Sequence, residues 1–336
     1  MNYIIAPILY DGAGINDILK GLIATAKSNN VIVTVGPLTY GRISTFGLDN
    51  PKEYSLDCLH KTEFLLNSIN DGDTIIFIDA FALGIDVLEY YLKRENLKVK
   101  KIGLLHGSSF IANDLYSDDI WLRYFEEGWF NIFDLIVCPS QYFIDQLPPF
   151  IKNKAFLSPW GIDILLQPEF ENKSIDVIFP HRFSLDKGIE DFLEITTQLP
   201  DVNFTITGLD SGIINNLPNN LKDIYSHLGL KKNINAVGLE STQEHLKRLK
   251  SSKIVLGTAK QEGFGYSIFK AVQCGNIPVL SNQCCYPEFF DQKFIYRSIG
   301  EACEKINGLL SVYPQNYFYP NPQFFNFNNI IKLLSP

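Results

Sequence analysis

Glu262-Gly263-Phe264-Gly265-Tyr266-Ser267-Ile268-Phe269-Lys270-Ala271-Val272-Gln273-Cys274-Gly275-Asn276-Ile277-Pro278-Val279 is the stretch on which the reading of this chain turns. It opens with a carboxylate in a glycine-rich turn. About two turns of amphipathic helix follow, Gly275 stops the helix, and Ile277 to Leu280 reads as a buried strand. A second apolar run, Ile254 to Gly257, comes just before the turn. The glycines therefore lie between the carboxyl end of one strand and the start of a helix. In an open α/β sheet, free backbone N–H groups and a positive helix end are exposed together at that place. An anionic group suits it, with Glu262 alongside to accept hydrogen bonds from hydroxyls.

A second stretch has the same form. Ile175 to Phe179 reads as a strand, Pro180-His181-Arg182-Phe183-Ser184-Leu185-Asp186-Lys187-Gly188 as a loop, and Ile189 to Thr197 as a helix. Arg182 offers a planar fork to phosphate oxygens and Lys187 a compact charge, so the loop can neutralise a diphosphate. By itself it reads equally as a solvated basic turn. Beyond it, Val202 to Thr207 ends in Gly208 and Ile234 to Val237 ends in Gly238. Ser241 to Glu244 forms a capping box that opens the helix to Lys250.

Strands and helices alternate in the N-terminal half as well. Tyr3 to Leu9 is an apolar strand, Asp11-Gly12-Ala13-Gly14 a turn, Ile15 to Lys27 a helix and Val31 to Val35 a strand. This βαβ start implies a parallel sheet. Gly12 and Gly14 lack the third glycine of a dinucleotide fingerprint, so a plain tight turn is the competing reading. Asp71-Gly72-Asp73 precedes a strand, Thr74 to Ile78, and reads as a turn. Lys101 to Leu105 ends at His106, which as a residue at a strand's carboxyl end faces the ligand crevice. Asp134 to Cys138 is the last strong strand of this half, with Ser140 as cap for Gln141 to Gln146.

Length and composition suit two ordinary domains: 336 residues, 46% hydrophobic and 20% charged. The net charge of −8 argues against a broad nucleic-acid footprint, leaving only a local basic groove for such a partner. The six cysteines are scattered without a C-x-x-C pair, which predicts free thiols in a reducing compartment. No signal peptide is read at the N-terminus, and no apolar run reaches the roughly 18 residues of a membrane span. The expected localisation is cytoplasmic, with peripheral membrane contact open through the abundant aromatics, 25 Phe and 16 Tyr.

These motifs resemble those of the retaining, nucleotide-sugar-dependent glycosyltransferases of family four, the glycosyl transferases group 1. The family pattern is Glu-x-Phe-Gly, four variable residues, Glu-Ala, then Gly-x-Pro-Val. Glu262, Phe264, Gly265, Ala271, Gly275, Pro278 and Val279 match it, with one extra residue before Pro278 and Lys270 in place of the second Glu. The loop from His181 to Gly188 is similar to the family's Gly-Arg-Phe-x-x-x-Lys-Gly, with His181 for the first Gly. Ser158-Pro159-Trp160-Gly161-Ile162-Asp163 is similar to its interdomain segment. Pro180-His181-Arg182 and Tyr286-Pro287-Glu288 resemble, more weakly, the tRNA-queuosine mannosyltransferase branch.

The resemblance implies an α/β GT-B fold, two Rossmann-like domains with parallel sheets facing each other across a cleft. The expected divisions are 1–160, an acceptor-side domain; 161–315, a nucleotide-sugar-binding domain; and 316–336, a segment packing back on the first domain through Phe324, Phe325, Phe327 and Ile330. It implies transfer from a nucleotide diphosphate sugar to a hydroxyl of a glycan, lipid or small molecule, with retention and with neither cofactor nor metal. Arg182, Lys187, Glu262 and His106 are the expected catalytic residues. Gly12, Gly14, His181, Gly208, Gly263, Phe264, Gly265, Tyr266, Ser267 and Lys270 are the expected donor-binding residues. Two other readings stay open: transfer to a modified base of tRNA or DNA, and a non-catalytic sugar-nucleotide binder, because Lys270 cannot accept the hydrogen bonds that the family's second Glu accepts.

Overall fold

The computed structural model describes residues 3–6, 14–36, 51–114, 117–161, 168–209, 219–228, 231–238, 241–315, 317 and 327–333. The chain divides into two compact units, Met1–Asp163 with Pro322–Pro336, and Ile164–Asn321.

The first unit holds strands β1 (Tyr3–Ala6), β2 (Val33–Val35), β3 (Thr74–Phe77), β4 (Lys100–Leu104), β5 (Leu135–Cys138) and β6 (Ala155–Leu157). They form one sheet in the order β2-β1-β3-β4-β5-β6, every neighbouring pair parallel. Helices α1 (Gly14–Ser28), α2 (Pro51–Ser68), α3 (Ile85–Arg94), α4 (Ile120–Ile132), α5 (Gln141–Gln146) and α6 (Pro149–Lys152) connect them. All four residues of β3 are buried, as a strand covered on both faces requires.

The sequence reading named no helix between Pro51 and the strand at Thr74, yet α2 occupies 18 residues there. Asp57, Lys61 and Thr62 of α2 point inward and are buried. Lys61 pairs with Asp57, and the Thr62 hydroxyl donates to the Cys58 carbonyl. Polar residues on the inner face erase the apolar period by which a helix is recognised.

The second unit holds β7 (Ile175–Phe179), β8 (Phe204–Ile206), β9 (Ile234–Ala236), β10 (Ser252–Gly257), β11 (Ile277–Ser281) and β12 (Ile295–Tyr296). Their order is β12-β11-β10-β7-β8-β9, again parallel throughout. Its helices are α7 (Ile189–Gln198), α8 (Asn219–Leu228), α9 (Thr242–Lys250), α10 (Tyr266–Gln273), α11 (Tyr286–Phe289) and α12 (Ile299–Val312). From β7 the chain winds outward through β8 and β9. It then restarts at β10, on the other side of β7, and winds away through β11 and β12. The switch point lies between β7 and β10, where an open parallel sheet leaves a crevice at its carboxyl ends. The loops carrying the two motifs leave those two strands.

The last helix, α13 (Asn328–Lys332), belongs to the first unit. Phe327 and Ile330 are buried, and the Phe327 ring covers Gly21 of α1 so closely that a β-carbon there would lie 2.2 Å from it. The Asn29 amide donates to the Asn328 side chain at 3.1 Å, and Lys100 donates to the Leu333 carbonyl at 2.8 Å. Phe324 and Phe325, expected on the same face, lie outside the described residues. Among the described residues no helix is long and apolar enough to cross a membrane.

Candidate functional site

The loops after β7 and β10 are tied into one piece by their backbones. Leu185–Lys187 makes a single 3-10 turn, and Gly188 (φ +68°) turns the chain into α7. The Thr258 hydroxyl lies 2.8 Å from both the Lys187 and the Gly188 carbonyls. The Asp186 carbonyl accepts from the backbone N–H of Lys260 at 2.8 Å and of Gln261 at 3.1 Å. A β-carbon on Gly188 would stand 2.0 Å from the Thr258 carbonyl oxygen, so the glycine is required by contact as well as by conformation. Gly188→Ala is expected to destabilise the protein by about 3 kcal/mol, the sum of left-handed strain and overpacking. Thermal unfolding checks this, and an unchanged melting temperature would contradict it.

This clamp gathers four charges. Arg182 donates from Nη2 to Asp186 Oδ2 at 2.7 Å and from Nε to Ser184 Oγ at 3.1 Å. Lys187 Nζ donates to Glu262 Oε2 at 3.1 Å and to the Gln261 carbonyl at 3.0 Å, and lies 3.5 Å from Asp186 Oδ2. The side chains of Asp186, Lys187 and Glu262 are 5%, 12% and 16% exposed, and that of Arg182 33%. Burial pushes the carboxyls of Asp186 and Glu262 up, but the neighbouring cations outweigh it and hold both below their ordinary values. Burial pulls Lys187 down, but Glu262 and Asp186 hold it above its ordinary value. Asp186, Lys187 and Glu262 are therefore charged at neutral pH.

His181 is buried against Phe179, and its Nε2 has no hydrogen-bond partner among the described residues. Burial pushes its pKa down to about 4, so the ring is neutral. Gly208 (φ +78°), at the end of β8, packs on the same loop. A β-carbon there would lie 3.3 Å from the Arg182 α-carbon and from the His181 carbonyl. Gly208 thus supports the loop's backbone from behind.

The start of α10 completes the site. Gly265 (φ +88°) is its N-cap, and the Gly265 N–H donates to Glu262 Oε1 at 3.2 Å. Of the backbone N–H groups expected to meet an anion, this one is already taken by Glu262. Tyr266, Ser267 and Lys270 are half-buried, while Gly263, Gly265, Ile268, Phe269 and Ala271 are buried. The Phe264 ring stacks on Phe269 with centroids 4.8 Å apart and meets Phe289 at 5.4 Å. Expected as a donor contact, it instead fills the core, and only its backbone is left for the site. Lys270 stands one helical turn beyond Tyr266 on the same side.

The remaining expected residues belong to the first unit. His106 donates from Nε2 to the Ile78 carbonyl at 2.6 Å, and its ring lies 4.2 Å from that of Trp160. Burial pushes it down to about 4, which keeps it neutral. Its loop is held by Glu126 of α4, which accepts from the Ser109 N–H at 2.8 Å, from the Ser108 hydroxyl at 3.1 Å and from the Ser109 hydroxyl. Gly14 begins α1, and Gly12 lies outside the described residues. Sequence reasoning missed Asp186 and Glu126 as parts of these sites. Asp186 looks like any charge in a polar turn. The only signal it gave was its place four residues after Arg182, the spacing of an ion pair on a tight turn.

Two parallel-sheet units of this topology define the two-domain GT-B fold. Residues 164–307 match the family model described as Glycosyl transferases group 1, a stretch that lies in the second unit and includes the clamp described above. Over 163 residues the chain is 30% identical to the tRNA-queuosine alpha-mannosyltransferase of Drosophila melanogaster, covering 48% of this chain and 42% of that protein. It spans about half the length of the curated relatives it matches. Among solved structures, Anabaena HepE in complex with UDP and glucose superposes with a TM-score of 0.65 at 16% identity over 100% of both chains. Sucrose-phosphate synthase from Thermosynechococcus elongatus superposes with a TM-score of 0.71 at 13% identity over 100% of this chain and 98% of its own. At these identities the likeness is one of fold.

Proposed function

We propose that this protein is a retaining glycosyltransferase that moves a sugar from a nucleoside diphosphate sugar to an acceptor hydroxyl without a metal ion. The reading is carried by one observation: two cations, Arg182 and Lys187, and one acid, Glu262, share a single clamp at the sheet's switch point, beside the start of α10. The cations and the first-turn amides of α10 bind the diphosphate. Glu262 accepts hydrogen bonds from donor-sugar hydroxyls. The acceptor oxygen attacks the anomeric carbon from the face that the diphosphate leaves. The bond to the leaving oxygen breaks, the new glycosidic bond forms, and the acceptor's proton passes to a diphosphate oxygen. A second protein carboxylate, which a glycosidase needs, has no task here. Lys270 donates to a phosphate or ribose oxygen where a Glu would accept.

The likeness to the tRNA-queuosine enzyme, and Pro180-His181-Arg182 in the clamp, favour a second reading of the acceptor: a hydroxyl on a modified tRNA base. The net charge of −8 weighs against it.

The test is thermal unfolding with UDP, GDP and ADP, each with and without a chelator, followed by a transfer assay with the matching diphosphate sugars. A ligand present at about a hundred times its Kd stabilises by about 2.7 kcal/mol. One nucleotide should raise the melting temperature equally with and without chelator. No shift with any of the three would contradict the proposal.

A further inference from the structure

We propose that Asp186 is a positioning residue: it sets the Arg182 guanidinium and the Lys187 ammonium for a departing diphosphate, so that its loss slows transfer without weakening nucleoside diphosphate binding. This rests on the function proposed above and concerns the geometry of the same site.

Asp186 is the acid through which the two cations are joined. Its Oδ2 accepts from Arg182 at 2.7 Å and lies 3.5 Å from Lys187 Nζ, and its side chain is 5% exposed. Ser184 takes the Nε edge of the same guanidinium at 3.1 Å, so residues of its own loop hold the planar group on two edges. The Asp186 carbonyl accepts the backbone N–H groups of Lys260 and Gln261, next to Glu262. One residue therefore fixes the orientation of Arg182, the distance between the two cations and the approach of the β10 loop.

Charge alone argues against an acid at this place. Arg182 and Lys187 are balanced by Asp186 and Glu262, so these four groups sum to zero where an anion is to bind. A buried carboxylate beside an anion site opposes the anion, and removing it leaves the site more positive. Electrostatics thus calls for tighter diphosphate binding without Asp186. Orientation calls for slower transfer, because donors aimed at developing charge act only when held in place beforehand. The two effects have opposite consequences for binding and for rate, which makes the role measurable.

Asp186→Asn keeps the side chain's shape and the backbone clamp. It is expected to bind UDP, GDP or ADP, whichever the wild type binds, as tightly as the wild type or up to about tenfold more tightly, while kcat falls about tenfold or more. Asp186→Glu should recover part of the rate. A kcat within roughly twofold of wild type would overturn the proposal. So would weaker binding in step with the rate and with a lowered melting temperature, which is the pattern of a merely structural residue. Without turnover, 15N NMR of the Arg182 Nη2–H groups, which donate to Asp186, reads the same geometry. A slowly exchanging signal in the wild type that is lost in Asp186→Asn supports the role, and one that persists unchanged refutes it. If the wild type neither binds these nucleotides nor transfers sugar, the functional proposal fails, and the Arg182 signal still decides whether Asp186 holds the guanidinium.

Discussion

Lys187→Ala is expected to lower transfer by about a hundredfold or more, the loss seen when one charge-stabilising donor is taken from a preorganised site. Lys187 meets Glu262 at 3.1 Å and the Gln261 carbonyl at 3.0 Å, within reach of Asp186. On the proposed mechanism its removal deprives the leaving diphosphate of a cation; it also takes from Glu262 its ion-pair partner and leaves Asp186 paired with Arg182. Breaking a buried pair from one side costs on the order of 3 kcal/mol, so stability should fall as well. Lys187→Arg separates the two effects: it keeps the charge and much of the stability, but its planar fork does not reproduce a compact ammonium. Transfer kinetics and chemical unfolding of both variants check this. Full activity in a folded Lys187→Ala protein would contradict it.

Glu262→Gln should lower transfer by a similar factor of about a hundred through a different step. The substitution keeps the shape of the side chain and removes its charge. Nucleoside diphosphate binding should survive, because Glu262 is assigned to the sugar. Its pH behaviour gives a second check. Burial raises the Glu262 carboxyl, but Lys187 outweighs this and holds it below the ordinary 4.5. The native protein thus binds fewer protons there than the unfolded chain does. The pair's contribution to stability is present above about pH 4.5 and is lost as the pH falls through the native pKa. Glu262→Gln should therefore be less stable than wild type at pH 7, with the gap narrowing in acid. A gap that widens in acid would contradict the assignment.

The sequence made this much legible because both motifs are local. Arg182 and Lys187 are five positions apart on one loop, and Glu262 precedes Gly265 by three, so spacing alone placed them at strand ends. The strands were legible for the same reason: runs such as Thr74 to Ile78 and Ile254 to Gly257 are apolar on both faces, as a covered parallel sheet demands. Long-range relations were not legible. Nothing local says that Asp186 joins the two cations, because its carbonyl partners, Lys260 and Gln261, are more than 70 positions away. Phe264 matched a motif, but its ring answers to Phe269 and Phe289. The α2 helix was hidden by the inward Lys61–Asp57 pair.

The most direct measurement is calorimetric titration of UDP, GDP and ADP into wild type and into the Arg182→Ala/Lys187→Ala double variant, with folding verified for both. The account expects one of these nucleotides to bind wild type and to lose about a hundredfold or more in affinity in the double variant, at least 2.7 kcal/mol. Equal affinity in the two proteins would show that the diphosphate is held elsewhere.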